Sequence, residues 1–262
     1  MRWAESRAPG RGGVELHVRR VADAPGDSAL LLHGLGVDGS VWQALARRLL
    51  PRLAVIAPDL RGHGQSDAPP DGYQLVDYAA DLIELLTSAR PNGIPVVGHS
   101  LGALVAVAVA DLRPDLVRWL VLLDPPLDAE RRNPDVPAVY RLRHAPPGEL
   151  EAYLLANNPG GGQLLANVLA RLFRQASDAA FEAQLAAPAG SPETWERAPR
   201  LRQPCLVVQA DPEGGGLLGD AAAEAFVARL AAGRLIKIPG AAHAIHATHP
   251  ADAARAILAE GG

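Results

Sequence analysis

The stretch VVGHSLGALVAVAVADL, residues 96–112, places Ser100 between two glycines, after a β-branched run and before a long apolar segment. Gly98, Ser100 and Gly102 fit the pattern G-x-S-x-G, in which a strand turns sharply into a helix and leaves the serine Oγ exposed at the turn. A serine that only caps the helix is the simpler interpretation. The strand-like run before it and the helical pattern after it favour a nucleophile.

Apolar runs of strand length alternate with helical patterns from residue 29 to residue 126, which is typical of a parallel sheet covered by helices. An earlier run, VELHVRR (14–20), alternates and predicts an antiparallel edge strand. The fold class is therefore α/β. The runs are ALLLHG (29–34), LAVIAPD (53–59), IPVVGHS (94–100) and WLVLLDP (119–125), and the amphipathic patterns VWQALARRLL (41–50) and LVDYAADLIELLTSAR (75–90) separate them.

This alternation stops at residue 127 and resumes near residue 204. The intervening segment carries two amphipathic patterns, ELEAYLLA (149–156) and LLANVLARLFRQA (164–176). We predict one core domain made of residues 1–126 and 204–262, with residues 127–203 inserted as a helical cap. The core then continues with PCLVVQADP (204–212), a helix around 220–231, RLIKIPG (234–240) and a closing helix at about 250–260.

Composition excludes several classes of protein. Of the 262 residues, 48% are hydrophobic and 21% are charged, and the net charge of −4 lacks the basic excess of a nucleic-acid binder. The single cysteine, Cys205, excludes an intramolecular disulfide and is predicted to be a buried, inert thiol. LGALVAVAVADL is shorter than the roughly twenty residues that a membrane span needs. We predict no membrane or nucleic-acid partner, and a cytoplasmic location because the N-terminus lacks a signal-like apolar run. The oligomeric state stays open.

A serine nucleophile needs a base within hydrogen-bond reach. His243, in IPGAAHAIHATHP (238–250), follows the last predicted strand and can therefore lie at the same edge of the sheet as Ser100. His246 and His249 come one and two turns later and are interpreted as surface or supporting residues. His99 adjoins the serine, and we expect its side chain to face the interior because adjacent residues diverge on a tight turn.

Four motifs occur in order along the chain: HGLG (33–36), DLRGHGQS (59–66), GHSLG (98–102) and PGAAH (239–243). Together they resemble the α/β-hydrolase superfamily, specifically its small bacterial serine esterase-like members, over nearly the whole chain except the cap. The resemblance implies an α/β-hydrolase fold, a mostly parallel sheet flanked by helices, with a small helical cap inserted after the sixth strand.

The same resemblance implies roles for particular residues. The amides of Leu35 and Leu101 would form the oxyanion hole, with His33 and Gly34 shaping the first of these loops. A structural loop that braces the site would contain Asp59, Arg61, His63, Gly64 and Ser66.

The carboxylate that completes the triad stays open. The family usually places it after the strand that returns from the cap, which implies Asp211 or, as a third choice, Glu213; Asp211 also begins a turn in which it can bond the amide two residues on. A minority of the family uses the position of Asp124. Because Pro125 and Pro126 lack amide hydrogens, Asp124 cannot satisfy itself in such a turn.

We therefore predict a serine hydrolase that cleaves a carboxylic ester or a similarly activated acyl compound, with no metal and no organic cofactor. A lactonase, an acyltransferase or a carbon-carbon bond hydrolase would use the same site, and a small-molecule receptor without turnover is the alternative from another class. The predicted substrate pocket consists of His33, Gly34, His99, Phe173 and Phe181.

Overall fold

A computed structural model describes residues 1–21, 27–50, 52–87, 93–131, 135–157 and 162–260. Eight strands of this part of the chain form one sheet. They are Trp3–Pro9 (β1), Glu15–Val21 (β2), Asp27–Leu32 (β3), Leu53–Pro58 (β4), Ile94–His99 (β5), Val117–Leu123 (β6), Cys205–Gln209 (β7) and Gly233–Lys237 (β8). Their order across the sheet is β1-β2-β4-β3-β5-β6-β7-β8.

The α-helices of the described residues lie between and after these strands. They are Gln43–Leu49 (α1), Leu75–Thr87 (α2), Leu101–Leu112 (α3), Asp135–Leu142 (α4), Glu149–Asn157 (α5), Gly162–Gln175 (α6), Asp178–Ala186 (α7), Pro192–Arg197 (α8), Asp220–Val227 (α9), Ile245–Thr248 (α10) and Pro250–Glu260 (α11). Helices α4 to α8 all fall between β6 and β7. Among the described residues, no helix combines the length and the apolar character needed to cross a membrane.

The strands from β3 to β8 pair in parallel, whereas β2 pairs antiparallel with β4. The antiparallel prediction for residues 14–20 is confirmed, but their prediction as an edge strand is wrong. The edge is β1, which pairs with β2 along its whole length, from Trp3 opposite Val21 to Pro9 opposite Glu15. The sequence WAESRAP gave no strand signal because most of β1 is exposed.

Each central strand packs on both faces, which explains why these runs are continuously apolar. Val96 of β5 belongs to the core cluster under α2 and α3, while its neighbour Val97 belongs to the cluster under α1 and α11. Helix α3 is buried from Leu101 to Ala110, so it is apolar on every side. The apolar run after Ser100 is thus a core helix, as predicted.

The turn between β5 and α3 passes very close to β3. A side chain at Gly102 would overlap the carbonyl oxygens of Leu32 and His33, and one at Gly98 would overlap the backbone of Gly102. Neither Gly98 nor Gly102 of the motif therefore leaves room for a side chain. Because the carboxyl ends of neighbouring parallel strands meet at one edge of a sheet, this turn lies beside the segments that follow β3 and β6.

Gly102→Ala should lower the free energy of unfolding by about 2–3 kcal/mol, because an added Cβ forces backbone apart. Within an ordinary helix the same change stabilises by about 1 kcal/mol. Urea unfolding measures the difference. The matched control is Gly12→Ala, whose new Cβ meets nothing within 4 Å and whose cost comes only from a φ of 71°. A loss at Gly102 no larger than that at Gly12 would contradict the close approach.

Candidate active site

Ser100 occupies a strained turn. Its backbone angles, a φ of 53° and a ψ of −120°, lie in a region that residues other than glycine rarely adopt. Each such residue lowers the stability of the folded state by about 1–3 kcal/mol. The turn is held by the Ser100 amide, which donates to the Leu123 carbonyl over 3.1 Å, and by the Ala103 amide, which donates to the Ser100 carbonyl over 2.9 Å. The Ser100 side chain makes no capping hydrogen bond. The interpretation of Ser100 as a simple helix cap is therefore wrong.

His243 hydrogen-bonds a fully buried carboxylate. Its Nδ1 lies 2.7 Å from Oδ2 of Asp124, whose side chain has no exposed surface. The remaining partners of Asp124 are backbone amides: Leu217 donates over 2.8 Å, and Leu218 and Ala210 each donate over 3.3 Å. A carboxylate only accepts, so Nδ1 carries the proton of a neutral His243 and Nε2 is left with its lone pair. This is the tautomer that a general base requires.

Asp211 and Glu213 take no part in this contact. Oδ1 of Asp211 accepts from the Glu213 amide over 3.2 Å and Oδ2 accepts from the Gly240 amide over 2.8 Å, and these two bonds lower its pKa. The side chain of Glu213 is exposed. Of the three carboxylates that the sequence left open, the structure pairs only Asp124 with His243. The physical reason is that a local turn satisfies Asp211, whereas the two prolines after Asp124 prevent one.

The loop after β3 lies against Ser100. A Cβ at Gly34 would be 3.3 Å from Cβ of Ser100. His33 Nε2 accepts from the Leu60 amide over 2.9 Å, so its Nδ1 donates to the Gly34 carbonyl over 2.8 Å. Since carbonyl and amide point in opposite directions across a trans peptide, this bond turns the Leu35 amide away from His33. The predicted role of the Leu35 amide in an oxyanion hole stays a prediction.

His33 was predicted to line the pocket, and this prediction is wrong. It has no exposed surface, and both ring nitrogens are engaged by backbone groups. Burial lowers its pKa, so it is neutral at pH 7. The role of His33 is to hold the loop rather than to contact a ligand.

His99 faces the interior, as its position on the turn predicted, and its assignment to the pocket is also wrong. Only 6% of its surface is exposed, and its Nε2 donates to the backbone carbonyl of His243 over 3.0 Å. The His99 ring also packs on the rings of His243 and His246, with centroids 4.6 Å apart in both cases. Burial and these two neighbours lower the pKa of His99 well below its usual value. A neutral His99 therefore connects the serine turn to the histidine loop.

His99→Phe should lower kcat by about ten- to a hundredfold, because the ring remains while the bond that positions the His243 loop is lost. His99→Gln keeps an N–H at a similar distance from Cα and should recover part of this loss. Steady-state hydrolysis of 4-nitrophenyl butyrate, with thermal melting of both variants, measures the effect. Equal kcat values for the Phe and Gln variants would show that only packing matters at this position.

His246 is buried rather than on the surface. It packs against the Trp42 ring with centroids 4.7 Å apart, and only 4% of it is exposed. Burial, followed by the electrostatic effect of the His243 and His33 imidazoles, lowers its pKa to about 3. An unfolded chain binds a proton on this imidazole near pH 6.5. The unfolded state therefore takes up more protons between about pH 6.5 and pH 3, and stability falls as the pH falls through that range.

When the pH falls from 7 to 5, the free energy of unfolding should therefore decrease by about 2 kcal/mol less in His246→Phe than in the wild type. Urea unfolding at the two pH values measures this. Trp42→Phe disturbs the same contact without removing a titratable group. The destabilisation of Trp42→Phe relative to the wild type should therefore be the same at both pH values. A wild-type pH dependence in His246→Phe would mean that other groups cause the acid sensitivity.

The loop after β4 is held in place by buried ionic hydrogen bonds. Asp59 is fully buried and accepts from the amides of Gly39 over 2.8 Å and Gln65 over 2.9 Å. Arg61 makes two 2.6 Å hydrogen bonds to Asp81 of α2. Asp81 was not predicted from the sequence, and neither were the Leu217 and Leu218 amides, because a backbone donor leaves no trace in residue type.

The two phenylalanines predicted for the pocket lie over the loop after β3. A Cβ at Gly36 would overlap the Phe173 ring and would be 2.8 Å from Cζ of Phe181. Phe181 is almost fully buried and belongs to the core formed by α4 to α7, whereas Phe173 is half-buried. Leu35 packs against this core as well. The structure thus places Phe173 at the junction of the helices and the loop, with Phe181 behind it.

The chain is similar to known hydrolases over most of its length. A profile described as the alpha/beta hydrolase family matches residues 29–256. The 2-(acetamidomethylene)succinate hydrolase of Mesorhizobium japonicum is 43% identical over 120 residues, 45% of this chain and 42% of that protein. Lipase LipV of Mycobacterium tuberculosis is 40% identical over 113 residues, 43% of this chain and 42% of that protein. The matches thus span less than half of these relatives.

Solved structures resemble the chain over nearly its whole length. An E-2-(acetamidomethylene)succinate hydrolase superposes with a TM-score of 0.80 at 27% identity, covering 98% of both chains. A thermophilic esterase from Thermogutta terrifontis superposes with a TM-score of 0.77 at 22% identity, covering 98% of this chain and 97% of that one. The predicted fold class is confirmed.

Proposed function

The chain belongs to the alpha/beta hydrolase family, and from this premise we propose that it cleaves a carboxylic ester or a similarly activated acyl compound through an acyl-enzyme on Ser100. The observation that carries the proposal is the hydrogen bond between His243 and the buried Asp124, together with the strained Ser100 turn beside the same strand ends. Strain at a single polar residue is typical of functional sites.

In the proposed mechanism, Nε2 of His243 takes the proton of the Ser100 hydroxyl while Oγ attacks the carbonyl carbon. The amides of Leu35 and Leu101 stabilise the oxyanion that forms. His243 then gives the proton to the leaving group, and the carbonyl re-forms as that bond breaks. Water, deprotonated by the same histidine, releases the acid and regenerates the serine. Asp124 stabilises the imidazolium throughout.

We also propose that α4 to α8, within residues 127–203, act as the cap over this site. Phe173 and Leu35 support this role, because the helices and the loop with the proposed oxyanion amide meet at those residues. The cap is tied to α3 by Arg197 and Arg200, which both bond the carboxylate of Asp111 at 2.6–2.7 Å. An apolar acyl group would lie between Phe173 and Ser100.

The trapped intermediate tests this function. After a rapid acid quench during turnover of 4-nitrophenyl butyrate, the Ser100 peptide should carry a butyryl group, and free butyrate should accumulate over many turnovers. An unlabelled Ser100 with continuing turnover would overturn the proposal. Butyryl esters of an added alcohol as the main product would point to acyl transfer instead, and ligand binding without turnover would point to a receptor.

A further inference from the structure

Arg143, which follows α4, carries a positive charge into the interior. Only 6% of the residue is exposed. Burial lowers its pKa, yet an arginine side chain stays protonated in proteins. A buried charge is costly unless its surroundings pair with it and satisfy its hydrogen-bonding groups. The partners of this guanidinium therefore determine how well the buried charge is stabilised.

The guanidinium of Arg143 is only partly satisfied. Its Nη2 donates to the carbonyls of Ala176 and Arg174 at the end of α6. Nη1 lies 3.1 Å from a carboxylate oxygen of Asp178, but neither Nη1 nor Nε makes a hydrogen bond. The Asp178 carboxylate is itself half exposed, and the same oxygen contacts Nε2 of His144 at 2.9 Å. Nε thus remains without an acceptor, and Nη1 has only the ion pair with Asp178.

This guanidinium lies close to the proposed catalytic loop. Its Cζ is 4.7 Å from the centroid of the Phe181 ring, and the edge of that ring contacts Gly36, next to Leu35. One aromatic ring therefore separates the charge from the loop. On the core side, His63 adds no positive charge, because burial, aided by His33 and Arg143, lowers its pKa to about 3. Its Nε2 also has no partner.

We propose that Arg143 binds a carboxylate of the substrate, so that the acyl compound cleaved at Ser100 is an organic acid. This inference rests on the proposed function. A guanidinium matches a carboxylate in charge and geometry, and charge-assisted bonds of this kind are about twice as strong as neutral ones. An oxygen of the carboxylate supplies the acceptor that Nε lacks. Because Nε is buried, binding requires the Phe181 ring that packs on the guanidinium to move aside.

Matched pairs of substrates test the carboxylate subsite. The 4-nitrophenyl half-ester of succinic acid has the chain length of 4-nitrophenyl butyrate and adds one carboxylate to the acyl group. The pair 3-acetoxybenzoate and phenyl acetate does the same on the leaving-group side. We expect the wild type to favour the charged member of at least one pair by about tenfold in kcat/KM, which corresponds to about 1.4 kcal/mol.

Variants of two arginines separate the local role from net charge. Arg143→Gln should remove that preference, and Arg143→Lys should keep only part of it, because lysine retains the charge but loses the planar fork. Arg171→Gln, which removes an exposed arginine from α6, should keep the wild-type ratio. A preference that survives in Arg143→Gln, or that falls equally in Arg171→Gln, would overturn the subsite.

Binding provides a measurement that does not depend on turnover. The monoamide of succinic acid should bind to Ser100→Ala in calorimetry, butyramide should bind at least about tenfold more weakly, and Arg143→Gln should remove the difference. Neutral ester turnover with no preference for the charged amide would overturn the subsite and leave the proposed function standing. Selective binding of the acid by a protein without esterase activity would overturn the function alone.

Discussion

Ser100→Ala should lower kcat/KM for 4-nitrophenyl butyrate by at least about 10⁵-fold, because it removes the atom that forms the covalent intermediate in the proposed mechanism. The residual rate comes from binding and from the oxyanion amides, which remain in place. Initial rates over a range of substrate concentrations measure the loss. A thermal melt within error of the wild type is needed for the comparison, and the small change in side-chain size favours it.

Ser100→Gly is the matched variant for the strain at this turn. It removes the same hydroxyl, so it should be equally inactive. Glycine adopts a positive φ without steric cost, so the free energy of unfolding should rise by about 1 kcal/mol. An inactive protein that is less stable than the wild type would contradict the argument that the φ of 53° stores strain.

Asp124→Asn lowers kcat by about 10³- to 10⁴-fold, since an amide can turn its NH₂ group toward His243 and favour the wrong tautomer. The effect should be in kcat rather than KM, because Asp124 is fully buried and contacts His243 rather than the ligand. The same steady-state assay measures it.

Asp211→Asn is the control for this result. Both changes remove one carboxylate, and Asp124 and Asp211 follow the neighbouring strands β6 and β7 at the same edge of the sheet. The carboxylate of Asp211 bonds only local amides, so kcat should be that of the wild type. A larger loss in Asp211→Asn than in Asp124→Asn would assign the acid to the other loop.

The sequence predicted the parts of the structure that depend on periodic burial. The runs at β3 to β8 and the patterns at α2 and α11 are continuous or amphipathic, and the structure contains each of them. β1 escaped prediction because an exposed strand such as Trp3–Pro9 needs no apolar residues. Its position is determined by its hydrogen bonds to β2, which residue types do not encode.

The candidate site followed the same division. Ser100 and His243 were predicted because local motifs place them at strand ends. The choice between Asp124 and Asp211 depended on which carboxylate contacts His243. Asp124 lies 119 residues before His243 in the chain, and no short motif encodes so remote a contact. The burial of His33 had no signal, since histidine occurs both inside proteins and on their surfaces, whereas the tight turn beside Ser100 predicted the interior position of His99.

The way in which α4 to α8 are attached separates sequence changes in these helices from changes in the sheet. The segment leaves after β6 and returns at β7, and these strands pair directly, from Leu120 opposite Cys205 to Leu123 opposite Val208. Asp124, Ser100 and His243 all belong to segments outside it. If these helices act as the proposed cap, insertions, deletions or their exchange would alter which molecules reach Ser100 while the register of the sheet stays fixed. Selectivity can diverge rapidly in such a chain while the reaction chemistry is conserved.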